Sequence, residues 1–232
     1  MTLVKICGVS DPRHARAAAA FGADFVGMVF APSKRQVTLG QAKRIAAALG
    51  KKPGDLLPSS DAASIEQALA ARRPLLVGVF ADQDTDTINS IAEEVSLDLV
   101  QLSGSEPWEM NEHLSRPVLK CMKVRAKETA PEILGHFHGG AVLLLDPFVE
   151  GTYGGTGQTL DWLVAGEIAQ QTPTVLAGGL TPENIAEAVR AVHPWAVDVS
   201  SGVETDGVKD PDKIRAFIMA AKSADTPTVE TA

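Results

Sequence analysis

Short apolar, β-branched runs alternate with Ala- and Leu-rich stretches of helical spacing along the whole chain. Leu3–Ile6, Phe25–Phe30, Leu75–Phe80, Leu97–Leu102, Val118–Val124, Ala141–Asp146, Thr174–Ala177 and Ala196–Ser200 read as strands. Between and after them, Pro12–Ala20, Leu39–Leu49, Thr85–Val95, Pro107–Leu114, Thr129–Phe137, Leu160–Gln170, Pro182–Val192 and Pro211–Lys222 read as helices. Three of these open with proline behind a capping residue: Asp11-Pro12, Thr181-Pro182 and Asp210-Pro211. Strands that are apolar throughout and separated by helices imply a parallel sheet covered by helices. Eight such units in 232 residues leave about 29 residues each, close to the repeat of a (β/α)8 barrel. A doubly wound open sheet has the same alternation. Two segments fall outside the repeat. "KKPGDLLPSSDAAS" (Lys51–Ser64) reads as an extended surface connection, and "SADTPTVETA" (Ser223–Ala232) as a frayed polar tail. The expected division is one barrel domain at 1–222 and a tail at 223–232.

Composition narrows the class without naming a function. At 45% hydrophobic and 22% charged, the chain has enough apolar material to bury a proper core. A net charge of −8 argues against nucleic acid as the main partner, because that binding rests on clustered Lys and Arg. It leaves room for a local basic pocket that takes a small anion. Two cysteines, Cys7 and Cys121, are too few for a disulfide framework. The N-terminus lacks a basic segment followed by an apolar one, and no 18-residue apolar run occurs, so a cytoplasmic protein away from membranes is expected.

In a (β/α)8 barrel the reacting groups stand at the C-terminal ends of strands, and phosphate is held by the loops after strands 7 and 8. The unusual residues of this chain fall there. Cys7-Gly8 follows the first strand, "APSKRQ" (31–36) the second, "QLSG" (101–104) ends the fourth and Asp146-Pro147 the sixth. "AGGL" (177–180) and "SSGVE" (200–204) follow the seventh and eighth. Small residues in two consecutive loops let backbone N–H groups point at a phosphate. Asp146 ends the apolar run "AVLLLD". A carboxylate there is partly desolvated, its pKa rises, and it suits a general acid. Lys5 shares strand parity with Cys7 and points to the same side. Its charge can favour the thiolate or pair with Asp198, and the two roles are compatible.

Other candidates carry less. "EGTYGGTGQT" (150–159) has five residues between Gly151 and Gly157 and Gln158 where a nucleotide-binding loop needs lysine, so it reads as a mobile lid. Cys121 inside "VLKCMKV" reads as a buried small hydrophobe. His136 and His138 have no Cys, Asp or Glu cluster beside them, and no metal is expected. His14, His113 and His193 read as solvated or capping, and Trp108, Trp162 and Trp195 as packing residues.

With these residues placed, the chain resembles the phosphoribosylanthranilate isomerase family of tryptophan biosynthesis over roughly residues 3–220. The blocks that carry the likeness run in one order: "VKICGVSD", "GADFVGMVFAPSKRQV", "LLVGVFADQ", "LDLVQLSG", "LLLDPFVEGTYGGTGQTLDW", "LAGGLTPENIAEAV" and "DVSSGVETDGVKD". The resemblance implies an Amadori rearrangement of N-(5′-phosphoribosyl)anthranilate without a cofactor, by a monomer or homodimer acting on a small phosphoribosyl substrate. It further implies Cys7 as general base, after a modest downward pKa shift, with Gly8 making room for the sugar. Asp146 would be the general acid and Arg35 the ligand of the anthranilate carboxylate. Gly178, Gly179, Ser200, Ser201 and Gly202 would hold the phosphate. The family usually carries histidine where this chain has Ser103, which puts an accessory role of that position in question. A dual-substrate relative would use an aspartate as first-strand base and be built of two similar halves, and Cys7 and the lack of half-to-half repetition argue against it. A pure sugar-phosphate binder would need no acid–base pair, and Cys7, Asp146 and Arg35 argue against that.

Overall fold

The alternation of apolar runs and helical stretches closes on itself. The computed structural model describes residues 1–52, 61–148 and 160–224. In it β1 (Leu3–Ile6), β2 (Phe25–Val29), β3 (Leu75–Phe80), β4 (Leu99–Leu102), β5 (Val118–Val124), β6 (Val142–Pro147), β7 (Thr174–Leu176) and β8 (Ala196–Val199) pair in chain order. All pairs are parallel, and β8 returns to β1 in the register Leu3↔Ala196 to Ile6↔Val199. An open doubly wound sheet would leave two edges; this sheet is a closed (β/α)8 barrel.

The helices are α1 (Pro12–Ala20), α2 (Leu39–Ala48), α3 (Ala62–Ala71), α4 (Thr85–Val95), α5 (Ala130–Gly135), α6 (Trp162–Ala169), α7 (Ile185–Val192) and α8 (Pro211–Ala224). Their starts follow from local chemistry. Asp11, Thr38, Asp61, Asp84 and Asp161 each accept a hydrogen bond from a first-turn backbone N–H. The apolar faces pack outside the barrel in a continuous cluster that includes Ile45, Ile88, Ile185, Ile214 and Phe217.

Four expectations change. Pro107–Leu114 is not an α-helix; Trp108–His113 is a 3-10 segment with no fully buried residue, and only Met110 and Leu114 of the stretch reach the core, each partly buried. Pro182 lies in a turn, and α7 begins three residues later, with Asn184 Oδ1 accepting from the Thr181 N–H. The Lys51–Ser64 connection gives way at Ala62 to α3, whose Ile65, Ala68 and Leu69 join the barrel-interior residues Phe25, Leu75, Leu99 and Ala196. This extra helix stoppers the N-terminal end of the barrel. Finally, α8 runs through Ala224, two residues into the segment read as tail. Residues 53–60, the 150–159 loop read as a lid, and residues 225–232 lie outside the described part of the chain.

Inside the barrel, side chains of one parity fill layers. The lower layer is apolar, with Phe25, Leu75, Leu99, Leu119, Val142 and Ala196. Above it Lys5 and Gln101 take inward positions, and at the top Cys7, Ser103 and Asp146 do so. The core is apolar at the bottom and polar at the mouth. That gradient places the site.

Candidate active site

A cavity of about 560 Å³ opens at the C-terminal ends of the strands. Its wall includes Cys7 of the β1 end, Lys34 and Arg35 after β2, Gln101 and Ser103 of β4, and Asp146 of β6. Gly178, Gly179, Ser200, Ser201 and Gly202 complete it from the last two loops. Every site residue expected from the sequence therefore lines one cavity.

Cys7 is 7% exposed, and the residue opposite it on β2 is Gly27. A methyl group on Gly27 would stand 3.0 Å from Cys7 Sγ and 3.2 Å from Lys5 Cε, so only glycine leaves both side chains their space. Lys5 is fully buried and donates to Asp198 Oδ2 at 3.0 Å. It also neighbours the thiol, whose ionised form its charge favours. The expected downward shift of the thiol does not occur. Burial and the Asp198 carboxylate push Cys7 upward, and the Lys5 ammonium only partly opposes them. Cys121, buried in the barrel interior near Lys123, is pushed up to about 12 by burial, as a core thiol should be.

Asp146 is 8% exposed. Burial raises its carboxyl, and the ammonium of Lys123, with Nζ 2.5 Å from Oδ2, opposes that rise without cancelling it. Lys123 stands directly across from Asp146 in the β5–β6 register. Strands β1 and β6 are three steps apart around the ring, so thiol and carboxyl face the cavity from different sides.

Arg35 is not a free loop cation. Its Nε donates to Glu204 Oε1 at 2.6 Å and its Nη2 to Oε2 at 2.8 Å. Gly8 (φ +73°) leaves space for this arginine: a Cβ there would lie 2.5 Å from Arg35 Cδ. Glu204 also accepts from Lys209 Nζ at 2.7 Å. Burial would raise the Glu204 carboxyl, but the hydrogen bonds from Arg35 and Lys209 hold it down to about 2.

The two glycine loops form one cradle. Gly178 (φ +88°) and Gly179 (φ +60°) take left-handed backbone. Asn184 fastens their loop by donating to the Gly179 carbonyl at 2.9 Å. The other loop presses against it: a Cβ on Gly202 would fall 1.9 Å from the Leu180 carbonyl oxygen. Ser200 Oγ donates to the Cys7 carbonyl at 3.2 Å, which ties the cradle to β1. Ser103 receives a hydrogen bond from Gln101 Nε2 at 3.0 Å, a structural use for this position. Gln101 Oε1 and Asp198 Oδ1 are buried acceptors without a hydrogen-bond donor in this structure, and both residues line the cavity.

Sequence reasoning passed over Lys123, Glu204, Lys209 and Gly27. Strand parity alone would have placed Lys123 and Gly27 inward. Glu204 and Lys209 carried no such signal, because they lie on a two-residue hairpin outside the barrel: β9 (Glu204–Thr205) pairs antiparallel with β10 (Val208–Lys209). Among the described residues no group of three His, Cys, Asp or Glu is arranged to hold a metal, and no helix is long and apolar enough to cross a membrane.

Comparison with known proteins points to the same chemistry. The N-(5′-phosphoribosyl)anthranilate isomerase family model matches residues 58–220. The N-(5′-phosphoribosyl)anthranilate isomerase of Dehalococcoides mccartyi is 42% identical over 97% of this chain and 98% of its own. That of Roseiflexus castenholzii is 45% identical over 96% of this chain and 99% of its own. A solved phosphoribosylanthranilate isomerase in complex with reduced 1-(o-carboxyphenylamino)-1-deoxyribulose 5-phosphate superposes with a TM-score of 0.75. It is 33% identical and covers 96% of this chain and 100% of that one. A closed barrel with a thiol, a carboxyl and a glycine cradle at one mouth, matched nearly end to end by these relatives, belongs to the N-(5′-phosphoribosyl)anthranilate isomerase family.

Proposed function

We propose that this isomerase of tryptophan biosynthesis converts N-(5′-phosphoribosyl)anthranilate to 1-(2-carboxyphenylamino)-1-deoxyribulose 5-phosphate with Cys7 as base and Asp146 as acid. Asp146 donates a proton to the furanose ring oxygen, the C1′–O bond breaks, and the nitrogen lone pair forms the Schiff base. Cys7, as thiolate, removes the C2′ proton. The resulting enolamine becomes the ketone by protonation at C1′ and loss of the hydroxyl proton. The observation that carries this reading is one cavity holding a buried thiol and a buried carboxyl with a raised pKa on opposite parts of its wall. A high-pKa thiol is a strong base once ionised, and the Lys5 ammonium beside it supports the ionised form.

The phosphate reading rests on the Gly178–Gly179 and Ser200–Gly202 cradle, whose left-handed glycines and tight contact leave no side chain in the way. Arg35 is read as the ligand of the anthranilate carboxylate. Gln101 Oε1 and Asp198 Oδ1 await donors, and the sugar hydroxyls and the anthranilate amine are donors of the right kind. Two free, buried thiols suit a reducing compartment, which supports a cytoplasmic place of action.

Complementation tests the reading. The chain should restore growth on tryptophan-free medium to a bacterial strain lacking only this isomerase step, and Cys7→Ala and Asp146→Asn should not. Growth supported by either variant at wild-type rate would overturn the corresponding assignment.

A further inference from the structure

The surplus buried charge around the cavity lies in one cluster. Lys5 is balanced by Asp198, and Lys123 by Asp146. Arg35, Glu204 and Lys209 sit together with only one carboxylate between two cations. All three side chains are largely buried, at 11%, 6% and 3% exposure. A buried cluster with one unbalanced positive charge, at a cavity that Arg35 lines, is a site for one anion.

The geometry assigns the anion an edge. A guanidinium offers five N–H donors in a planar fork. Glu204 occupies the side edge, Nε with Nη2. The end edge, Nη1 with the second Nη2 hydrogen, can still take a carboxylate by two parallel hydrogen bonds. Glu204 is thus not a competitor of the substrate for Arg35 but a brace. Gly8 holds the arginine stem from one side, where a Cβ would collide with Cδ. Lys209 braces Glu204 in turn, and its Nζ also donates to the Ser200 carbonyl at 2.8 Å. Through Lys209 the carboxylate clamp and the phosphate cradle share one support.

We infer that the β9–β10 hairpin determines specificity: Glu204, braced by Lys209, is a positioning residue that aims the end edge of Arg35 at the ring carboxylate of the substrate. The inference rests on the reading of Arg35 as carboxylate ligand, and the two are separable by experiment. Steady-state kinetics would compare wild type, Arg35→Ala, Glu204→Gln and the double variant on N-(5′-phosphoribosyl)anthranilate and on its aniline analogue without the carboxylate. Loss of an aimed charged hydrogen-bond pair is worth about 10- to 100-fold. Glu204→Gln should raise KM for the natural substrate by about that factor with kcat nearly unchanged, and should alter KM for the aniline analogue by no more than about threefold. The double variant should discriminate between the two substrates no worse than Arg35→Ala alone. Glu204→Asp keeps the charge but cannot reach both nitrogens, so it should fall between. It also serves as the probe if Glu204→Gln does not fold. Equal losses on both substrates, or none, in a folded Glu204 variant would overturn the inference while leaving the clamp intact if Arg35→Ala still discriminates. Arg35→Ala without discrimination would overturn the clamp itself, and the inference with it.

Discussion

Cys7 and Asp146 show how much a residue's chemistry depends on neighbours it does not touch in sequence. Both positions are visible as reactive side chains at strand ends. Their ionisation is not, because it is set first by burial and then by Lys5, Asp198 and Lys123 on three different strands. The direction of the Cys7 shift has a consequence for pH dependence. A thiol displaced upward by burial is protonated at neutral pH, so its thiolate fraction grows through and beyond the ordinary thiol range near ~8.5. The rate of inactivation by iodoacetamide should therefore keep rising past pH 8.5, and product should protect. Lys5→Met with Asp198→Asn, which removes the ion pair without stranding a buried charge, tests what the pair contributes. The carboxylate raises the thiol and the ammonium lowers it, so the double variant should move the profile less than Lys5→Met alone, which should move it to higher pH. A plateau near pH 7 in the wild type would mean a preformed thiolate and would contradict the assigned environment.

At the scale of elements, strands and capped helices were legible because apolar runs and N-caps are local signals. Asp11-Pro12 and Thr38 begin helices as their residue types demand. What escaped was decided by packing. The α3 helix has its Ile65, Ala68 and Leu69 stripe in plain view, yet its purpose is to stopper the barrel, which no local pattern states. The Trp108–His113 segment reads as helix by composition and is 3-10 in the fold, with no fully buried residue and only Met110 packed against the core. The glycine loops were found by composition, but their mutual contact was not. Gly202→Ala tests that contact directly. Its methyl would fall within bonding range of the Leu180 carbonyl, so one loop must move. KM should rise at least tenfold, and inorganic phosphate should weaken as a competitive inhibitor in parallel. Unchanged phosphate inhibition would separate these loops from the anion.

The whole molecule is polarised from one barrel end to the other. At the N-terminal end, Asp24 and Asp98 accept backbone hydrogen bonds from Val4 and Leu76, and each is paired with cations. They fasten neighbouring strands far from the cavity, as charged groups at that end of such barrels do. At the C-terminal end the buried charges line or brace a cavity, and one positive charge is left over for a ligand. The central claim is that a thiol and a carboxyl divide one rearrangement between them while other groups hold the substrate. The most direct measurement is kcat for Cys7→Ala and Asp146→Asn alongside the Kd of each variant for reduced 1-(o-carboxyphenylamino)-1-deoxyribulose 5-phosphate. Loss of a positioned acid or base costs about 10²–10⁴ in rate. Each variant should lose at least that in kcat while its Kd stays within about threefold of wild type. A variant with near-normal kcat and a much weaker Kd would make its residue a binding group and contradict the account.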